Sequence, residues 1–112
     1  MEWKLRLKLD FERDCALIVM NEAQKHFSFS PSELMTRRLA VHEAVTNALK
    51  YGGEAALTAV GNGNKMRVEI RQKNKIVFPA DPSSFRGTAL IRRYARETEI
   101  SDDGRTLILR FY

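Results

Sequence analysis

The sequence contains a single cysteine, Cys15, and only three prolines among its 112 residues. One thiol cannot form an internal disulfide, and without neighbouring cysteines it does not suit a zinc site. No apolar run approaches the ~20 residues that cross a bilayer, and no basic start precedes a short apolar stretch. These absences predict a cytoplasmic protein that neither crosses a membrane nor is secreted.

The composition is that of a folded globular protein, with 44% hydrophobic and 29% charged residues. We expect residues 1–112 to form a single domain, because this length supports one hydrophobic core. The net charge of +5 and the pI near 9.7 permit an acidic partner, including nucleic acid. Aromatic residues are not interleaved with the basic ones to stack on bases, so a nucleic-acid-binding domain is the weakest alternative.

Changes of hydrophobic periodicity divide the chain into strands and helices. Alternating apolar residues predict a strand over 3–11, and helical spacing predicts helices over 12–27 and 31–51. The later elements are predicted as strands over 55–60 and 66–71, a short apolar run over 76–78, a loop over 80–85, a helix over 88–97, and strands over 98–100 and 106–112. This order predicts an α+β fold: a two-layer α/β sandwich whose mixed, mostly antiparallel sheet is covered on one face by helices.

The second helix has the clearest local signals. A Ser-Pro-Ser-Glu capping box begins at Ser30, and two glycines end the helix. At ~100° per residue, Glu43, Asn47 and Lys50 fall within roughly 60° of one another, beside a broad apolar arc. A carboxylate can act as a general base, an amide oxygen can bind magnesium, and an ammonium can neutralise phosphate. The alternative for this stripe is a solvated helix face. The predicted core includes Leu5, Leu7, Leu9, Val41, Val45 and Ala48.

Two segments of the sequence resemble a known family. Residues 42–53 read HEAVTNALKYGG, which resembles the N-box of the GHKL (histidine kinase-like) ATPases. The similarity is greatest to the bacterial anti-sigma factor/serine kinase branch, whose later GRGLxLI segment is similar to RGTALI at 86–91. Residues 37–41 and the order of elements also look like that branch. The resemblance covers nearly the whole chain and implies the Bergerat type of sandwich.

The resemblance implies a nucleotide site with ATP and Mg²⁺ as cofactors. Glu43 matches the catalytic base that activates water in the family, and Asn47 matches its magnesium ligand. Lys50 and Tyr51 match positions that approach phosphate and nucleoside in histidine kinases. The positions that match the phosphate loop closing over ATP are Arg86 and Gly87.

The adenine-binding box of the family, D-x-G-x-G, is missing from this sequence. Gln72 stands at the Asp position, and Asn74 and Ile76 stand where glycines belong. The Asp accepts a hydrogen bond from adenine, and the glycines let the backbone pass under the base, which a β-branched side chain obstructs. Phe85 also replaces the first glycine of the phosphate loop. These departures predict that nucleotide binding is weakened or lost.

By resemblance, the sequence predicts an anti-sigma factor-like regulator that binds a sigma factor or a STAS-type antagonist in a partner-switching system. The family also implies a homodimer. The basic residues Arg92, Arg93 and Arg96 of the last predicted helix are the candidate partner-binding residues, and a solvated basic face is their alternative reading. The alternative function is an ATP-dependent serine kinase with an altered adenine pocket. Enzymatic activity therefore stays open, with a binding role favoured.

Overall fold

The computed structural model describes residues 2–76 and 86–112, which form five strands and three helices. In chain order these are β1 (Glu2–Lys8), α1 (Cys15–Gln24), α2 (Pro31–Tyr51), β2 (Ala55–Asn62), β3 (Lys65–Gln72), α3 (Arg86–Tyr94), β4 (Glu97–Ile100) and β5 (Thr106–Phe111). The strands form one open sheet in the order β1-β2-β3-β5-β4. The predicted α+β class is confirmed. The expectation of a mixed sheet is wrong for the described residues, because every neighbouring pair is antiparallel.

Short turns join two of the antiparallel pairs, β2–β3 and β4–β5. β2 and β3 pair from Ala55 with Gln72 to Asn62 with Lys65, which leaves only residues 63 and 64 to reverse the chain. Gly63 has a φ of +61°, the left-handed conformation that such a turn requires and that glycine adopts without strain. Both predicted hairpins, β2–β3 and β4–β5, are therefore present.

One hydrophobic core lies between the sheet and the helices. Alternate residues of β2, β3 and β5 point into it, and the buried faces of α1 and α2 cover them. Of the residues predicted for the core, Leu9, Val41, Val45 and Ala48 are buried, whereas Leu5 and Leu7 are partly buried and pack against it.

The first helix begins later than the periodicity predicts, at Cys15 instead of residue 12. Asp10 turns the chain first, because its carboxylate accepts hydrogen bonds from the backbone N–H groups of Glu12 and Arg13, both at 2.9 Å. Asp14 then caps the helix by accepting from the Leu17 N–H. Local side-chain hydrogen bonds of this kind compete with strand and helix formation. The hydrophobic pattern of the sequence does not reveal them.

The last helix also differs in its bounds, since α3 runs from Arg86 to Tyr94 instead of 88–97. It ends early because Glu97 already pairs with Arg110 in β4 and the Arg96 N–H donates to the Arg110 carbonyl at 2.7 Å. The predicted loop over 80–85 and most of the apolar run over 76–78 lie outside the described residues. Among the described helices, none combines the length and apolarity that a membrane crossing needs.

Candidate functional site

The candidate site residues are carried by α2, whose ends are well fixed. At its start, the Ser30 hydroxyl accepts from the Glu33 N–H at 3.1 Å, and the Glu33 carboxylate accepts from the Ser30 N–H at 3.0 Å. At its end, the Gly52 N–H donates to the Ala48 carbonyl at 2.8 Å. The predicted capping box and helix end are confirmed. Residues four apart on this continuous helix lie one above the other.

Glu43, Asn47 and Lys50 form what we call the α2 stripe. Glu43 and Asn47 are partly exposed and Lys50 is exposed, while Ala44 next to them is buried. This matches the predicted orientation of the helix. Within the part of the chain that the structure describes, the side chains of the α2 stripe have no hydrogen-bond or ion-pair partner. The stripe therefore presents a carboxylate, an amide and an ammonium that an external group can reach.

Gln72, at the end of β3, packs onto the end of α2. Its side chain is only 9% exposed. A Cβ placed on Gly52 would lie 2.7 Å from both Cδ and Oε1 of Gln72, so the amide rests directly against the glycine backbone. The Gln72 Nε2 donates to the carbonyl of Asn74 at 2.9 Å. Only a glycine at position 52 leaves room for this contact.

Residues 73–76 form hydrogen bonds both with the end of α2 and with the β4–β5 hairpin. Toward α2, the Asn74 N–H donates to the Gly52 carbonyl at 2.9 Å, and its Nδ2 donates to the Tyr51 carbonyl at 3.3 Å. Toward the β4–β5 hairpin, the Ile76 N–H donates to the Gly104 carbonyl at 2.7 Å. We call residues 72–76 the closing segment, because they fill the space between the end of α2 and the β4–β5 hairpin.

The closing segment does not fit an adenine base. The adenine amino group needs an acceptor that faces an open cleft, but the Gln72 oxygen lies against Gly52. The backbone of Asn74 is hydrogen-bonded to α2 and does not pass free beneath a base. Magnesium prefers several oxygen ligands; Glu43 and Asn47 could supply at most two of them, and waters or phosphates would have to supply the rest. In the described chain, no three His, Cys, Asp or Glu side chains converge on a metal position.

Two other predicted nucleotide-binding residues, Arg86 and Gly87, occupy a different element from the one expected. They form the start of α3 instead of a phosphate loop that precedes it. Tyr51, at the last position of α2, is 61% exposed, and its carbonyl belongs to the closing-segment contacts. Phe85 lies outside the described residues.

The structure separates the three candidate partner-binding arginines. Arg92 and Arg93 are exposed on the last turn of α3, and the Arg93 guanidinium lies 5.6 Å from the centre of the Tyr94 ring. Arg96 follows the helix and lies over the ring of Tyr112, 5.3 Å from its centre, at the edge of the sheet. Only Arg92 and Arg93 therefore share one helical surface.

Arg37 is a structurally important residue that the sequence reasoning missed. It is a buried cation on α2, and its Nη1 donates to the Asn64 carbonyl at 2.7 Å. A signal was present, because on the helical wheel Arg37 falls between Ala44 and Ala48, within the apolar arc.

A search of protein-family models found no match to this chain, and a search of curated proteins found none either.

Proposed function

We propose that this chain is an anti-sigma factor-like regulator of the GHKL type that acts by binding protein partners and has lost most of its nucleotide binding. Its partners in this proposal are a sigma factor or a STAS-type antagonist in the cytoplasm. The five-stranded antiparallel sheet with its three helices is compatible with the α/β sandwich of that family. The resemblance of residues 42–53 and 86–91 favours that family, and the packing of Gln72 supports the loss of nucleotide binding.

The observation that carries the proposal is the packing of Gln72 against Gly52. A side chain that fills the adenine position removes both the acceptor and the space that a base requires. The α2 stripe stays accessible, so the surface around Glu43 remains available to a protein. An accessible surface around Glu43, combined with a filled base position at Gln72, favours a protein-binding role over kinase activity.

The experiment that tests the proposal compares partner binding with and without nucleotide. Purified sigma factors and STAS-domain proteins of the source organism are immobilised, and binding of the full chain is followed by surface plasmon resonance. We expect at least one of them to bind with an affinity that Mg-ATP leaves unchanged. The variant Asn47→Ala, which removes the magnesium ligand that the resemblance implies, should bind the same partner equally well.

Calorimetric titration with Mg-ATP provides the second measurement. We expect no binding heat for the wild type at millimolar ATP. Replacing Gln72 by Asp and both Asn74 and Ile76 by Gly restores the family box and should create measurable affinity. A micromolar, magnesium-dependent affinity of the wild type that Asn47→Ala abolishes would contradict the proposal. Steady phosphate release that Glu43→Gln abolishes would also contradict it, and transfer of the γ-phosphate to a serine of a STAS-domain protein would establish the kinase alternative.

A further inference from the structure

The face of the sheet opposite the helices carries a shallow trough of about 480 Å³. We call it the outer trough. Its side chains alternate along each strand with those of the core, so they point away from the helices. The residues that form it are Arg6 and Lys8 of β1, Ala56 and Thr58 of β2, and Glu69 and Arg71 of β3.

The strand register explains the shape of the outer trough. Ala56 pairs with Lys8 on one side and with Arg71 on the other, so a small side chain lies between two long cations. Thr58, two residues further along β2, points to the same side, and together with Ala56 it forms the floor of the trough. Because neighbouring strands are about 4.8 Å apart, the walls on β1 and β3 are separated by roughly 9.5 Å between Cα atoms. A single extended chain fits between walls of this separation.

The two walls differ in how much of their charge is already neutralised. On β3, Arg71 donates to a carboxylate oxygen of Asp103 at 2.9 Å, and Glu69 lies 3.6 Å from Arg67. On β1, the exposed side chains of Lys4, Arg6 and Lys8 form no ion pair with any residue that the structure describes. Among the described residues, the uncompensated positive charge of this face is therefore concentrated along β1, in Lys4, Arg6 and Lys8, with the Glu2 carboxylate at the start of the same row.

We propose that the outer trough binds an acidic segment of a protein partner in an extended conformation. Alternate residues of an extended chain repeat every ~6.7 Å, which is also the spacing of Lys4, Arg6 and Lys8 along β1. Carboxylates at every second position of the ligand can therefore meet each cation in turn, and Arg6 can hold one in a bidentate pair. This surface goes beyond the proposed function, whose candidate partner-binding arginines lie on α3 and just after it.

The same face is less suited to two other occupants. Its floor, Ala56 and Thr58, offers no aromatic ring on which a base could stack, and the Glu69 carboxylate would repel a continuous phosphate chain. A second copy of this chain would bring an identical column of cations against Lys4, Arg6 and Lys8. Charge complementarity thus selects an acidic peptide with separated carboxylates.

The test uses a fluorescein-labelled peptide of alternating Glu and Thr, read by fluorescence anisotropy at low and at moderate salt. A matched peptide with Gln in place of Glu controls for shape. We expect saturable binding of the Glu peptide, none of the Gln peptide, and a loss of affinity with added salt. The variant Arg6→Gln/Lys8→Gln should bind about tenfold more weakly, since it removes two charges that face the ligand.

The matched control is Lys25→Gln/Lys73→Gln, which removes the same charge from exposed positions outside the trough. We expect its affinity to stay within about twofold of the wild type, because the removed charges do not contact the ligand. Amide shifts of the labelled wild-type protein provide a measurement that needs no variant. They should change along β1, β2 and β3 at Arg6, Thr58 and Glu69, and not along α2.

Three results would overturn the assignment. The first is equal weakening in both double variants, which reduces the effect to net charge. The second is a wild-type protein that shows no peptide binding at low salt, or amide shifts confined to the helices. The third is that oligo-dT binds more tightly than the peptide and that its binding depends on Arg6 and Lys8. This result would show that the outer trough binds nucleic acid.

Discussion

At the scale of single residues, Arg37 links three parts of the structure. From α2 it donates to the Asn64 carbonyl in the β2–β3 turn, and its guanidinium lies 4.8 Å from the Phe29 ring centre and 5.6 Å from that of Phe111. Its nearest carboxylate, on Glu33, is 3.8 Å away. Burial lowers the pKa of Arg37, yet an arginine stays ionised at neutral pH. One cation thus holds a helix, a hairpin and the last strand together.

We expect Arg37→Ala to lower the free energy of unfolding by about 2–3 kcal/mol. A hydrogen bond from a charged donor contributes about 1.5–3 kcal/mol, and the cation–aromatic contacts add to it. The matched control is Arg38→Ala, because Arg38 is half exposed and, among the residues that the structure describes, forms an ion pair only with Asp14, at 2.8 Å. That change should cost less than about 1 kcal/mol. Urea denaturation of both variants measures the difference, and equal losses would show that the buried contacts of Arg37 add nothing.

At the scale of elements, the β4–β5 hairpin depends on Asp103. Hydrogen bonds from the Ser101 hydroxyl, the Arg105 N–H and Arg71 hold the pKa of the Asp103 carboxyl well below its usual range. The Ser101 and Arg105 donors are 2.6 Å and 3.0 Å from Oδ1. The same hairpin supplies the Gly104 carbonyl that holds the closing segment. Protonation of one exposed carboxyl therefore affects contacts on both sides of the turn.

The pH dependence of stability follows from this shift. Because folding lowers the pKa of Asp103, its ionised form stabilises the fold above the unfolded value of about 3.8. That contribution is lost as the pH falls further toward the folded-state pKa. We expect Asp103→Asn to be less stable than the wild type at pH 6, and the gap to narrow between about pH 4 and pH 2. Urea denaturation midpoints of both proteins across this pH range test the prediction. A stability difference that does not change with pH would contradict it.

The exposed arginines of α3 give a second prediction at this scale. If the proposed partner docks on α3, Arg92→Glu/Arg93→Glu should slow its association, since long-range attraction acts mainly on the encounter rate. The loss should be about 2–5 kcal/mol for contacts buried in the interface, and less at its rim. Arg96→Glu should have a smaller effect, because Arg96 lies beside Tyr112 at the sheet edge.

Surface plasmon resonance at two salt concentrations separates these outcomes, with Lys25→Glu/Lys73→Glu as a control that makes the same change in net charge. The variants should stay folded, because exposed substitutions usually change stability by only about 0.5 kcal/mol. Unchanged kinetics for Arg92→Glu/Arg93→Glu would move the interface from α3 to the surface around Glu43.

At the scale of the whole molecule, elements with strong local signals were predictable from the sequence. α2 has a capping box at Ser30 and ends at glycines, and both hairpins contain residues that permit tight turns. The ends of α1 and α3 were predicted incorrectly for physical reasons. The Asp10 turn replaces the first turn of α1, and pairing of Glu97 with β5 ends α3. Local side-chain hydrogen bonds thus set the start of α1, whereas strand pairing with β5 sets the end of α3.

The candidate site could be predicted only in part. Helical spacing placed Glu43, Asn47 and Lys50 correctly on one face of α2, because that spacing is a property of the helix alone. The sequence could report that no D-x-G-x-G box follows this strand, but not that Gln72 packs onto the end of α2. The packing of Gln72 on Gly52 joins residues twenty apart, and such a contact appears only when α2 and β3 are seen side by side.

The position of β1 at the edge of the sheet affects how these molecules can aggregate. An edge strand offers unpaired backbone groups to any other strand, including a second β1. If two β1 strands paired antiparallel about Arg6, each Lys4 would face a Lys8, and like charges opposite each other destabilise such pairs. The cations of β1 thus disfavour sheet extension through this edge in that register, as lysines on edge strands commonly do.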